Sequence, residues 1–181
     1  MSIEGRHIVL VGMMGTGKTA IGRSLARRLG RPFIDTDRLI EAQEGCSIAQ
    51  LFEAKGEPAF RELESGAIRE VVTRPPSVIA TGGGAVLRKE NRELLKQHGL
   101  LIWLKADIEE MLFRTAGRKG ARPLLTVKDP RANLQRLLTE RESLYAEADF
   151  TVETTGRSVS EATSMILHRI GGDRRVRREE R

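Results

Sequence analysis

The chain has 181 residues, 39% of them hydrophobic, which suits one compact domain and excludes a chain disordered by composition. Aromatic residues make up only 4%, which argues against a base-stacking surface for nucleic acid, and the net charge of +6 suits anionic ligands such as nucleotides and carboxylates. One cysteine, Cys46, excludes an intrachain disulfide, and the absence of a signal-like N-terminus or a membrane-length apolar run leads us to expect a cytoplasmic protein without a membrane partner.

The first apolar run, "HIVLV" (7–11), is short and unalternating, as in a parallel strand covered on both faces. It opens directly into "GMMGTGKT" (12–19), which fits Gly-x-x-x-x-Gly-Lys-Thr between a strand and a predicted helix over 18–29. Gly12, Gly15 and Gly17 let backbone N–H groups converge on phosphate oxygens. The helix that follows adds its positive end. Lys18 can reach the terminal phosphates of a nucleoside triphosphate, and the Thr19 hydroxyl can ligate Mg²⁺. The motif does not name the phosphate acceptor, because GTPases, ATPase motors and small-molecule kinases share it.

A second strand, "RPFID", is predicted over 31–35 and leads into Thr36 and Asp37. Ligands collect at the carboxyl ends of strands in open parallel sheets. Asp35 and Asp37 could therefore divide the work, one supporting hydrated Mg²⁺ and the other taking a proton from an acceptor hydroxyl. Asp37 could equally be a plain helix N-cap. Helical stretches follow over 47–54 and 57–73. The second contains Arg61 and Glu64, spaced either for an ion pair on a solvated face or, in Arg61, for a guanidinium fork that takes a substrate carboxylate. The strand "SVIA" (77–80) leads into Gly82, Gly83 and Gly84, which allow a ligand to lie against the backbone. Beyond lie a helix over 88–97, the strand "LLIWL" (100–104), helices over 107–115, 130–147 and 158–170, and a strand "FTVE" (150–153). Strands alternating with helices predict an α/β fold with a mainly parallel sheet. "GRKGARP" (117–123) interrupts the helical pattern with two glycines, a proline and three cations. The end, "GGDRRVRREER" (171–181), is charged and nearly without apolar residues.

Taken in order, "VGMMGTGKTAIGRSLARRLG", "FIDTD", "FEAKGEPAFRELE", "TGGG" and "RPLL" (122–125) resemble the shikimate kinase family from about residue 8 to residue 170. The resemblance implies a three-layer P-loop fold of the nucleoside-monophosphate-kinase type, with a five-stranded parallel sheet in order 2-3-1-4-5 and a mobile lid. It implies transfer of the ATP γ-phosphate to the 3-hydroxyl of shikimate, with Mg²⁺. Lys18, Asp37 and Arg122 match catalytic positions. The phosphate loop with Thr16, Thr19 and Ala20, together with Arg114, Arg122 and Arg157, matches nucleotide positions. Thr19 and Asp35 match the metal site. Asp37, Arg61, Gly82, Gly83, Gly84 and Arg141 match the shikimate site, the two arginines as carboxylate partners. The lid stretch looks about a residue longer than in some members and adds Arg118 and Lys119, and the tail has no family counterpart.

The expected organisation is one kinase domain over 1–171, with a lid at about 115–126 and a charged, flexible tail over 172–181. A monomer with ATP and shikimate as its small-molecule partners and no nucleic-acid partner is expected. Rival readings are another small-molecule kinase of the same fold such as a gluconate kinase, a nucleotide-dependent regulatory module that lost catalysis, and a nucleic-acid binder, ranked last because the positive charge is spread widely.

Overall fold

The computed structural model describes residues 3–116 and 129–179, with side chains described to residue 171. The expected lid, Arg122 included, falls almost wholly outside the described residues. Five strands build one parallel sheet: β1 (His7–Val11), β2 (Phe33–Asp35), β3 (Val78–Ala80), β4 (Gly99–Lys105) and β5 (Phe150–Glu153). Their order is β2-β3-β1-β4-β5, as the resemblance implied. β1 lies at the centre, with Val9 opposite Ile79 of β3 and Leu101 of β4. All five β1 residues are buried, which explains its unalternating apolar sequence.

Alternate strand residues feed two cores. Val9, Val11, Ile79, Leu101 and Trp103 face one cluster, and Ile8, Leu10, Val78, Leu100 and Ile102 face the other. The first core is closed by α3 (Ile48–Val71), α4 (Lys89–His98), α5 (Ile108–Thr115) and α6 (Pro130–Tyr145); the second by α1 (Lys18–Leu29) and α7 (Val159–Glu179). The result is the expected three-layer arrangement of helix, sheet and helix. The backbone of α7 continues to Glu179, nine residues past the stretch predicted from the apolar pattern (179 − 170).

A further helix, α2 (Thr36–Glu44), was not among the predicted stretches. It packs with α3 around a smaller cluster of Ile40, Leu51, Phe60 and Ala67. Helix α3 is two helical segments joined at Gly56, whose backbone (φ 75, ψ 172) is not helical, and Pro58 follows in the first turn of the second segment. That junction coincides with the gap between the predicted stretches 47–54 and 57–73. Among the described residues no helix is long and apolar enough to cross a membrane.

Candidate active site

Among the described residues, the loops that carry predicted site residues, after β1, β3 and β5, leave the carboxyl end of the sheet. The loop after β1 holds Gly15 at φ 80, a conformation L side chains rarely adopt, and a Cβ there would stand 2.7 Å from the Met111 carbonyl oxygen of α5. Glycine therefore lets the loop lie tight against α5. Lys18 Nζ donates to the carbonyls of Gly12 and Met13 at 2.7 and 2.8 Å, so its ammonium already sits over the loop. The Thr16 hydroxyl turns inward and donates to the Met13 carbonyl at 2.8 Å, which ties the loop to itself. Ala20 is exposed in the first turn of α1.

Thr19 donates its hydroxyl proton to Asp35 Oδ2 at 2.8 Å, while Asp35 Oδ1 accepts the Arg38 amide at 3.4 Å and caps α2. The cap is thus Asp35, and the capping alternative for Asp37 falls away: Asp37 sits one position inside the helix. With its proton directed at Asp35, the Thr19 oxygen keeps a lone pair for a hard cation. Among the described residues no group of three or more His, Cys, Asp or Glu is placed to cage a metal. The donor set therefore fits Mg²⁺ carried mainly by phosphates and water rather than a protein-enclosed ion.

The acceptor side centres on Gly82–Gly84. A Cβ at Gly82 would lie 2.6 Å from both Asp37 Oδ1 and Glu64 Oε1, so two carboxylates meet over that residue. A Cβ at Gly84 would lie 2.5 Å from Arg61 Cζ and Nη2, so the guanidinium is laid against Gly84. Arg61 Nη1 donates to Glu64 Oε2 at 2.8 Å, and Nε and Nη2 donate to Glu57 Oε1 at 3.2 and 2.8 Å. The pair with Glu64 exists, but not on a solvated face: Arg61 is 9% and Glu64 1% exposed. Burial pushes the Glu64 carboxyl above its usual range; Arg61 opposes that push and Asp37 adds to it.

Arg141 comes from α6, is 4% exposed, and donates through Nη1 to the Gly83 carbonyl at 3.4 Å. Among the described residues, Arg141 Nε and Glu64 Oε1 are buried with no hydrogen-bond partner. Unsatisfied charged groups in one pocket cost stability unless a ligand completes them. Gly83 joins the two halves, since its Cβ position lies 3.6 Å from the Gly12 oxygen and 3.7 Å from the Met14 nitrogen of the phosphate loop.

Arg114 Nη2 donates to the Thr154 carbonyl at 2.8 Å and Nη1 to the Gly15 carbonyl at 3.3 Å, so it braces the phosphate loop against the end of β5. It also pairs with Glu110 at 2.8 Å. Arg157 is exposed three positions beyond Thr154.

Sequence reasoning missed Tyr145, Thr36 and the role of Glu57. Thr36 Oγ1 accepts the Gly82 amide at 3.1 Å. Tyr145 is fully buried; its hydroxyl donates to the Gly83 carbonyl at 2.5 Å and lies 3.4 Å from Met13 Sδ, and burial pushes its pKa up to about 12. The available signal was its spacing, one helical turn after Arg141. Tyr145→Phe removes the hydroxyl and leaves a buried carbonyl with weaker support, so we expect a loss of about 1 kcal/mol and a melting temperature lower by ~2–4 °C. A thermal melt indistinguishable from wild type would show that the hydroxyl does not hold this loop.

The match to the shikimate kinase family model runs over residues 14–171. The chain is 49% identical over 155 residues to the shikimate kinase of Chromobacterium violaceum, covering 85% of this chain and 84% of that one. It is 46% identical to the enzyme of Symbiobacterium thermophilum, covering 91% and 95%. A shikimate kinase from Acinetobacter baumannii, solved in complex with shikimate, superposes with a TM-score of 0.90 at 43% identity over 93% of this chain and 94% of that one. A gluconokinase from Sinorhizobium meliloti has a TM-score of 0.63 at 20% identity, with 92% of each chain covered, and shares the fold alone. A phosphate loop and an arginine–carboxylate cluster joined through Gly83, within a chain so alike over nearly its whole length, have one common explanation: this chain belongs to the shikimate kinase family.

Proposed function

We infer that this chain is an ATP-dependent kinase that moves the γ-phosphate of ATP to the 3-hydroxyl of shikimate, giving shikimate 3-phosphate and ADP on the route to chorismate and the aromatic amino acids. The observation that carries the reading is the pair of buried, incompletely bonded groups, Glu64 Oε1 and Arg141 Nε, beside a phosphate loop. An acceptor with a carboxylate at one end and hydroxyls at the other would satisfy both. The shikimate-bound relative supports the same acceptor.

Phosphoryl transfer depends on positioning and charge stabilisation more than on covalent help. Lys18 turns its ammonium from the loop carbonyls to the β- and γ-phosphates. Thr19 and Asp35 would hold Mg²⁺, which would supply positive charge to offset the phosphates when bound with ATP. Arg61 and Arg141 hold the acceptor carboxylate, and the Gly82–Gly84 backbone lines the ring. Asp37 orients the 3-hydroxyl. As the acceptor oxygen bonds to the γ-phosphorus, its proton passes to Asp37, the bond from that phosphorus to the β-phosphate oxygen breaks, and ADP departs. Arg114 and Arg157 border the adenine side. Arg122, outside the described residues, is assigned to the lid as a cation that reaches the transferring phosphoryl group on closure. A single kinase domain over 1–171, a lid at about 115–126, a charged tail beyond residue 171, a monomeric state and a cytoplasmic location complete the proposal.

The test is Mg²⁺-dependent ADP release with shikimate, quinate, gluconate or water as acceptor. We expect turnover with shikimate well above that with the others. Equal ADP release with and without shikimate would end the kinase assignment.

A further inference from the structure

We infer that Glu57 is a positioning residue that sets the Arg61 guanidinium to receive the acceptor's carboxylate. The inference rests on the acceptor reading above and deepens it. An arginine carries five N–H donors: one on Nε and two on each terminal nitrogen. Glu57 Oε1 takes Nε–H and one Nη2–H, and Glu64 Oε2 takes one Nη1–H. Among the described residues, one N–H therefore remains on each terminal nitrogen. Two charge-assisted donors, one on each terminal nitrogen, are thus left for an oxyanion.

The two glutamates hold the group differently. Glu64 is buried at the floor and grips Nη1, while Glu57 has a side chain 56% exposed and grips the Nε edge from the rim. Gly84 lies against the guanidinium itself, so the group has little room on that side. A hold at Nη1 alone would leave the guanidinium able to swing about that contact; the second hold, at Nε, removes that freedom. Glu57 can make it because of the backbone. Gly56 breaks α3 just before it, so Glu57 begins a new helical segment and stands one turn before Arg61 on the same face. The chemistry it serves is recognition of a planar monoanion, so its influence should vanish for an acceptor without that charge.

The test compares wild type, Glu57→Ala and Glu57→Gln with two acceptors, shikimate and its uncharged carboxamide. Glutamine keeps the oxygen that accepts from Nε and Nη2, and alanine does not. Because Glu57 is exposed, its truncation opens no core cavity. We expect Glu57→Ala to raise the shikimate KM at least about fivefold while kcat and the ATP KM stay within about twofold, Glu57→Gln to recover most of the loss, and the carboxamide KM to be unaffected by either change. Direct calorimetric binding of shikimate separates the two levels of the argument. Wild-type enzyme that fails to bind shikimate overturns the acceptor reading. Wild-type enzyme that binds it, with Glu57→Ala binding equally well or more tightly, overturns the role of Glu57 alone, the tighter case meaning that Glu57 competes with the acceptor. Equal rises in the KM for shikimate, its carboxamide and ATP would also overturn it, by showing a general disturbance of α3.

Discussion

Asp37→Asn should lower kcat for shikimate phosphorylation by roughly 10²–10⁴-fold, the range for loss of a positioned acid–base group, with both KM values little changed. Asparagine keeps the shape of the side chain and an oxygen that can accept a hydrogen bond, so orientation of the hydroxyl survives. What disappears is the capacity to hold the transferred proton. The competing carboxylate is Glu64, whose Oε1 shares the space over Gly82 with Asp37. Glu64 is a poor candidate for the same work, because its other oxygen is committed to Arg61 at 2.8 Å, so taking a proton would weaken a buried ion pair. Glu64→Gln should accordingly weaken acceptor binding through Arg61 more than it slows the chemical step. Steady-state kinetics of the two variants decides between them. If Asp37→Asn retained kcat within tenfold while Glu64→Gln lost it, the proton acceptor would be Glu64.

What the sequence disclosed depended on how far apart the interacting residues lie. The phosphate loop was legible because the strand, the glycines, Lys18 and Thr19 form one continuous local unit. Strand order came from the family resemblance, since no periodicity in a short apolar run states its neighbours. Helix α2 escaped because its nine residues contain one fully buried apolar side chain, Ile40; its stability comes from the Asp35 cap and from packing on α3. The i,i+3 spacing of Arg61 and Glu64 was visible, yet the burial that sets the pair apart from a surface ion pair is tertiary. Tyr145 reaches Gly83 across 62 residues, and Arg114 reaches Thr154 across 40. Neither contact leaves a local pattern. The two readings of Asp37 stayed open for a local reason: it lies two residues from Asp35, and only backbone geometry shows that the helix starts at Thr36 with Asp35 as its cap.

Gly84→Ala should leave the fold intact and remove most of the acceptor affinity. The added methyl group would occupy the place where the Arg61 guanidinium now lies, 2.5 Å from Cζ and Nη2, closer than real Cβ contacts allow. Gly84 has φ −95 and ψ −3, which alanine adopts without strain, so the backbone has no reason to move. The moving part is Arg61, the end of a flexible side chain. It cannot withdraw freely, because Glu57 and Glu64 hold three of its N–H groups, so displacement of the guanidinium also disturbs both pairs. The acceptor carboxylate then loses its charge-assisted contact, worth about 1.5–3 kcal/mol, or about 10- to 150-fold in shikimate KM. The added methyl group would meet Arg61 first, and the phosphate loop lies beside Gly83, so the ATP KM should hold. Arg61→Ala provides the control: with the guanidinium gone, the methyl group has nothing to displace, and adding Gly84→Ala should cost little more. A strongly additive double variant, each change raising the shikimate KM by its full amount, would mean that Gly84 acts on the acceptor ring directly and not through Arg61.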